Sequence, residues 1–332
     1  MFRRNALPRR VNTTAIRGNT GTMTTDEALL ELGRALRSGG YHFTTVTPAT
    51  HARVNRRPAN AVARDLRDVF GWSRPFHAGV LPGDLLDLLR AAEAVEQDGE
   101  LWRSRVRFSS YDGELFVHSA FPTEAADSVF FGPDTYRMAD AAAAYVRDRA
   151  EPVTRAVDIG CGTGAGAIAV AKRAPGAEVI AVDINDTALR YARINAALAG
   201  TDRVTPRHSD LLSGVDGDLD LIISNPPFMI DPAGRTYRDG GGPDGNDLSL
   251  RIIDAAAERL APGGALVLFS GTGIVDGQDP LRQAAEKRLS ETDLSWTYRE
   301  VDPDVYGEEL DGDAYVRAER IAVVLLTATR AR

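Results

Sequence analysis

Over 332 residues the chain is 43% hydrophobic and 26% charged, with a formal net charge of −8. That describes a globular protein of one large or two ordinary domains and excludes collagen-like and low-complexity classes. The acidic balance gives no general attraction to phosphate polymers. The lone cysteine, Cys161, cannot form an intramolecular disulfide. The longest apolar runs, such as 321–326, fall far short of the roughly 20 residues that span a bilayer, so the expected place is a reducing cytoplasm with no membrane contact.

Residues 1–22 carry Arg3, Arg4, Arg9, Arg10 and Arg17 with no acid and no apolar period, and read as a disordered tail. An overextended start, with Met23 as initiator, accounts for them more simply than an RNA-binding arm or a transit peptide. From Asp26 the apolar spacing predicts a helix ending at Gly39-Gly40, a second over 59–70 and a third over 83–96. The period then changes to alternation over 101–119, around Asp112-Gly113, a dipeptide favoured in hairpin turns. Helices followed by such a hairpin resemble a winged-helix module, so 23–125 is expected to be a small α+β domain. Its third helix bears Asp84, Asp87, Glu93 and Glu96 against Arg90, a poor surface for an anionic groove; dimerisation or covering a substrate suits it better. The most basic stretch is His51, Arg53, Arg56, Arg57, Arg64 and Arg67, either a local anion-binding surface or a solvated helix face.

Residues 153–270 alternate β-branched strands with helices, the pattern of a parallel sheet with crossover helices. Strands are expected over 154–159, 178–183, 203–207, 219–224 and 265–270, with helices over 164–174, 186–199 and 247–260. A helix near 280–290 and strands near 295–301 and 319–328 close the chain. The fold class is therefore α/β, a doubly wound, seven-stranded, mostly parallel Rossmann-like sheet over 126–332. Ligands should sit at the carboxyl ends of its strands.

"VDIGCGTGAGAIAVA" (157–171) reads as strand, glycine turn and helix. Gly160, Gly162 and Gly164 allow a sharp turn and close approach of backbone to a ligand, with helix N–H groups facing it. Asp158 leads the run and suits a cationic amino group better than a pyrophosphate. Asp183, about 20 residues on, ends the next strand where a carboxylate takes ribose hydroxyls, with Ile184 beside it. "HSDLL" (208–212) places Asp210 and Leu211 beside an expected adenine ring. "SNPPF" (224–228) then ends the fourth strand with two prolines that neither donate to a ladder nor continue it.

Together these residues resemble class I S-adenosylmethionine-dependent methyltransferases, and "SNPPF" is similar to the Asn-Pro-Pro-aromatic motif of their amino-methylating branch. The resemblance covers about 126–330 and implies S-adenosylmethionine as cofactor. It also implies that Asn225 and the Pro226 carbonyl orient an acceptor NH2, that Pro227 fixes the turn, and that Phe228 stacks on the acceptor plane. "RTYRDGGGPDGNDLSLRIIDAAAERLAPGGALVLF" (235–269) and "FFGPDTY" (130–136) look like segments of the glutamine N5-methyltransferases of release factors, implying a cofactor contact from Thr135 and, secondarily, from Phe131. Phe228 in place of tyrosine is similar to rRNA guanine N2-methyltransferases. The acceptor is thus expected to be a protein glutamine amide or an exocyclic amine of an RNA base, with a small molecule as a third class. A nicotinamide oxidoreductase and a nucleotide-sensing DNA-binding regulator are the readings from other classes. The loop 229–246 is expected to be a lid. No metal is expected, and the chain could be monomer or homodimer.

Overall fold

The computed structural model describes residues 23–332; the expected tail and its alternatives lie outside the described residues. The chain opens with α1 (Thr25–Ser38), whose Thr24 and Glu27 cap each other's backbone N–H groups. Leu29, Leu32 and Leu36 on one face of α1 are buried. Three shorter helices follow, α2 (Pro48–Asn55), α3 (Leu66–Phe70) and α4 (Gly83–Ala91). The helix expected over 59–70 is instead split. Thr47 caps α2 with Pro48 at its first turn, a position proline favours. Only one 3-10 turn spans Pro58–Asn60, and Asp65 caps α3.

The helix expected over 83–96 stops early, because Glu93 adopts a left-handed backbone, φ +54°. The chain then forms β1 (Val95–Asp98), paired with β2 (Leu101–Ser104). The hairpin around Asp112-Gly113 forms between β3 (Val106–Tyr111) and β4 (Glu114–Ser119), both turn residues having positive φ. The two hairpins are separate two-stranded sheets.

Between the second hairpin and the sheet lies α5 (Pro133–Asp148), a 16-residue helix not among the expected elements. The sheet that follows has the order β10-β11-β9-β8-β5-β6-β7. Its strands are β5 (Arg155–Ile159), β6 (Glu178–Asp183), β7 (Val204–His208), β8 (Leu219–Ser224), β9 (Leu260–Ile274), β10 (Leu294–Asp302) and β11 (Arg320–Arg330). The intervening helices are α6 (Ala165–Arg173), α7 (Asp186–Ala199), α8 (Asp247–Arg259) and α9 (Pro280–Leu289). β5 to β9 are parallel, and β11 returns antiparallel between β9 and β10. β9 outruns its expected span because β11 pairs with it as far as Ile274.

The chain winds from β5 outward to β7, then crosses to β8 on the other side of β5. Order therefore reverses between β5 and β8, which opens a crevice at their carboxyl ends. Alternate residues along the central strands feed two cores. Ala156, Leu221, Ile223 and Val267 face α5, α6 and α7; Val157, Ile159, Ile222 and Leu266 face α8 and α9.

Asn195, on α7 and fully buried, joins the amino-terminal elements to this sheet. Its side chain accepts from Val117 N (2.7 Å) and donates to Val117 O (3.1 Å) and Thr163 O (3.0 Å). The amide thus acts as one more strand residue along β4 and anchors the glycine turn. Removing it strands three buried backbone groups. We expect Asn195→Ala to lower unfolding free energy by about 2–3 kcal/mol, measured by urea denaturation; a change under about 0.5 kcal/mol would refute the bridging role.

Candidate active site

A cavity of about 430 Å³ lies at the switch point, within the range of small-molecule sites. Asp158, Gly160, Gly162, Asp183, Ile184, Asp210 and Leu211 line one end, and Asn225, Pro226, Pro227 and Phe228 line the other, with Thr135 also in its wall. Gly164 is outside it. Its left-handed backbone, φ +75°, starts α6, and a Cβ there would meet Ala192 at 3.1 Å, so it serves helix packing rather than the wall.

At the first end, the Asp183 carboxylate accepts from Gly162 N at 3.0 Å and Asn185 N at 2.9 Å. It therefore holds the glycine turn as well as facing the cavity, and burial raises its pKa. Asp158 is buried, accepts from Ala167 N at 2.9 Å, and is pushed up to about 7 by burial. Gly166 makes this possible: a Cβ there would lie 2.9 Å from the Asp158 oxygen. Ile184, 56% exposed, is one of few large apolar side chains facing water among the described residues, and offers an apolar contact for a ring. Asp210 is exposed and paired with Arg251 of α8 at 3.2 Å, a partner the sequence did not suggest. One buried and one half-buried carboxylate and a glycine cradle fit a ligand carrying positive charge and ribose hydroxyls, the chemistry of S-adenosylmethionine.

At the other end, Ser224 Oγ donates to Ile159 O at 2.7 Å and ties the tip of β8 to that of β5. Asn225 Oδ1 is buried with no hydrogen-bond partner, an arrangement native proteins rarely tolerate without a function. The glycines of "GGGPDG" (240–245) let backbone press on backbone beneath the motif. A Cβ on Gly245 would be 2.7 Å from Phe228 O, and one on Gly240 would be 2.8 Å from Phe228 Cα. Phe228 is buried, its ring against Gly271 of β9 and 6.1 Å from the Tyr306 ring.

Thr135 Oγ1 accepts from Gly132 N at 3.2 Å, so the hydroxyl closes the start of α5. Phe131, expected as a secondary cofactor contact, is outside the cavity wall. It stacks between Phe116 (5.4 Å) and His118 (5.2 Å), joining β4 to α5. Its buried position reflects α5, which draws Phe131 inward, while Phe130 is half-buried and lines the cavity.

The loop 229–246 is pinned across the opening. Tyr237 Oη donates to Thr123 O at 2.5 Å, Thr236 Oγ1 to Ala126 O at 3.0 Å, and Ile230 N to Tyr315 Oη at 2.9 Å. Arg235 forms a two-pronged pair with Asp231 (2.8 and 2.7 Å). That pair holds the Asp231 carboxyl down at about 2. Arg238 pairs with Glu309. Tyr306 and Gly271 were not singled out from the sequence, and Asp134 stood out there only within "FFGPDTY"; three-dimensional contact brings all three to the motif.

The fold and the site define a class I S-adenosylmethionine-dependent methyltransferase. The Methyltransferase small domain family matches residues 139–274. The release factor glutamine methyltransferase of Deinococcus radiodurans is 35% identical over 251 residues, covering 70% of this chain and 84% of that protein. A second such enzyme, from Bradyrhizobium diazoefficiens, is 36% identical over 166 residues, covering 46% and 56%. The ribosomal protein uL3 glutamine methyltransferase of that organism is 33% identical over 197 residues, covering 56% and 57%. The chain thus spans little more than half the length of the latter two. Among solved structures, M. jannaschii TYW2 in complex with AdoMet aligns with 69% of this chain and 87% of its own at 16% identity and TM-score 0.47. The chain belongs to the family of the release factor glutamine methyltransferases. No helix among the described residues is long and apolar enough to cross a membrane.

Gly271→Ala would put a methyl group 2.4 Å from the Phe228 ring and displace it. We expect a stability loss of about 1–3 kcal/mol with methyl transfer reduced further than cofactor affinity. Wild-type turnover by this variant would show that the ring's position is immaterial.

Proposed function

We propose that the protein methylates the side-chain amide nitrogen of a glutamine in a protein of the translation machinery. The observation that carries this is the buried, unpartnered Asn225 Oδ1 beside the Pro226 carbonyl in a cavity shared with Asp158 and Asp183. A carboxamide NH2 brings two donors to those two acceptors. Its lone pair is delocalised, so it reacts only when held in line and when positive charge growing on nitrogen meets fixed dipoles. Asn225 and Pro226 supply both, Pro227 stiffens the turn, and Phe228 borders the acceptor. S-adenosylmethionine, when bound, supplies a methyl group on a sulfonium. In this reading Asp158 faces its ammonium, Asp183 its ribose, and Ile184 and Leu211 its adenine, with Asp210 reaching the ring edge and Thr135 covering it.

We place the division of labour at about residue 125. The segment 126–332 holds the cofactor, while 23–125, which reaches the cavity mouth through Pro48 and Phe121, meets the substrate; its winged-helix likeness belongs to this proposal. The work is expected in the cytoplasm. The arginines nearest the motif, Arg235 and Arg238, are committed to Asp231 and Glu309, which favours a protein over a phosphate polymer. An RNA base amine is the second reading, favoured by Arg53, Arg56, Arg57 and Arg67, which are exposed and form no ion pair among the described residues. Incubation with tritiated cofactor and purified release factor, uL3 or rRNA separates the two; label confined to RNA would reverse the assignment.

Asn225→Ala should lose about 10²–10³ in turnover with cofactor affinity little changed, whereas Asp183→Ala should weaken cofactor binding roughly 10–100-fold. Titration calorimetry beside initial rates checks this; matched effects in both variants would dissolve the two roles.

Burial raises the Asp158 pKa, so the folded protein holds a proton there that the unfolded chain lacks. Stability from this group accordingly falls as pH rises from the ordinary carboxylate range to about 7. A facing ammonium favours the ionised form, so cofactor affinity should rise with pH up to about 7. Asp158→Asn should flatten that rise; an unchanged slope in the variant would move the ammonium elsewhere.

A further inference from the structure

We propose that Tyr306 is the specificity wall of the acceptor slot, admitting a slender aliphatic carboxamide and excluding acceptors whose amine sits on an aromatic ring. This rests on the glutamine reading and deepens it. Tyr306 lies in the excursion between β10 and β11, outside the segment 139–274 that the family match covers, and it lines the cavity together with Phe228.

Four features fix it there. Its backbone is left-handed, φ +54°, a conformation that a bulky side chain adopts only when its surroundings insist. Glu309 N donates to Tyr306 O at 2.8 Å and Val305 N to Ile321 O at 2.8 Å, which hold that turn against β11. Its hydroxyl donates to Asp134, a buried carboxylate in the first turn of α5 that also lines the cavity. Its ring meets Phe228 at 6.1 Å between centroids and 56° between planes, while Gly271 presses on the same Phe228 ring.

Aromatic rings at this separation are already in contact, with no gap into which a third ring can slide. A purine, whose amine is fixed to a fused ring, would have to displace Tyr306 in order to stack on Phe228. A glutamine amide, three heavy atoms on a flexible stem, needs less width than a fused ring to approach Asn225 and Pro226, which line the same cavity. Tyr306 touches the slot from a strand return far along the chain, so slot width is set by the excursion rather than by the motif.

The test compares a peptide containing the glutamine that the wild-type enzyme labels with the same peptide carrying 4-carbamoylphenylalanine at that position. The reacting group is an amide in both, and only the bulk behind it differs. kcat/KM is measured on each for wild type, Tyr306→Phe and Tyr306→Ala, with S-adenosylhomocysteine affinity measured alongside. We expect wild type and Tyr306→Phe to prefer glutamine by about 100-fold or more. Tyr306→Ala should narrow that preference at least about tenfold with S-adenosylhomocysteine affinity within about twofold. An unchanged preference in Tyr306→Ala, or equal losses on both peptides, would overturn the wall while leaving the glutamine reading intact. Failure of the wild type to label any protein glutamine, or its labelling of an RNA base, would overturn both.

Discussion

An amide oxygen held away from water with nothing to bond is the constraint on which the acceptor end depends. Leaving Asn225 Oδ1 unpaired costs about 1–3 kcal/mol, and a free side chain would rotate to avoid it. The surrounding residues deny that relief. Pro226 and Pro227 stiffen the chain on one side, and Ser224 Oγ fastens the other to Ile159 of the neighbouring strand. From beneath, Gly240 and Gly245 bring the outgoing loop within backbone contact of Phe228. A site arranged in advance for two N–H donors forfeits stability when empty and recovers it only when a matching group arrives.

The two ends of the cavity were unequally legible in the sequence, and the reason is contact range. Asp158, the glycine turn, Asp183, Asp210 and Asn225 each sit at a strand end within a short, strongly patterned segment. Periodicity alone therefore placed them at one edge of the sheet, where the cavity lies. Tyr306 and Asp134 are 172 positions apart, and nothing local to either marks a partner. Gly271 reads as an ordinary strand glycine until the Phe228 ring is seen against it. Gly164 illustrates the opposite limit: its place in the motif suggested ligand contact, whereas its role is to let α6 approach Ala192.

The amino-terminal elements were harder for a related reason. Their helices are short, and caps rather than apolar period decide where they begin. Asp65 ahead of α3 and the 3-10 turn at Pro58–Asn60 divide the stretch 59–70 that was expected to be one helix, and Thr47 with Pro48 starts a helix, α2, that the spacing did not suggest. α5 has a buried face of Met138, Ala139, Ala142 and Ala143 at helical spacing, but the segment 130–136 at its start was matched to a cofactor-covering stretch rather than followed as a helix. Its start is set by Gly132 donating to Thr135, a signal that also resembles a ligand-binding turn. Missing α5 also misplaced Phe131, which the helix draws into the seam with β4.

Charge completes the account of what the cavity accepts. Asp158 is buried and Asp183 half-buried, both with raised pKa values, so each gains most from a ligand that brings positive charge and ribose donors. A pyrophosphate at the same glycine turn would set anion against anion, which disfavours a nicotinamide dinucleotide despite the shared Rossmann-like geometry. Around the acceptor end, Arg235 and Arg238 are neutralised by Asp231 and Glu309, and Arg137 by Asp302 at 2.6 Å. An acceptor there meets fixed dipoles and aromatic edges rather than free charge. Recognition at that end therefore turns on shape and hydrogen-bond count, and a neutral amide with two donors is the group whose needs match both.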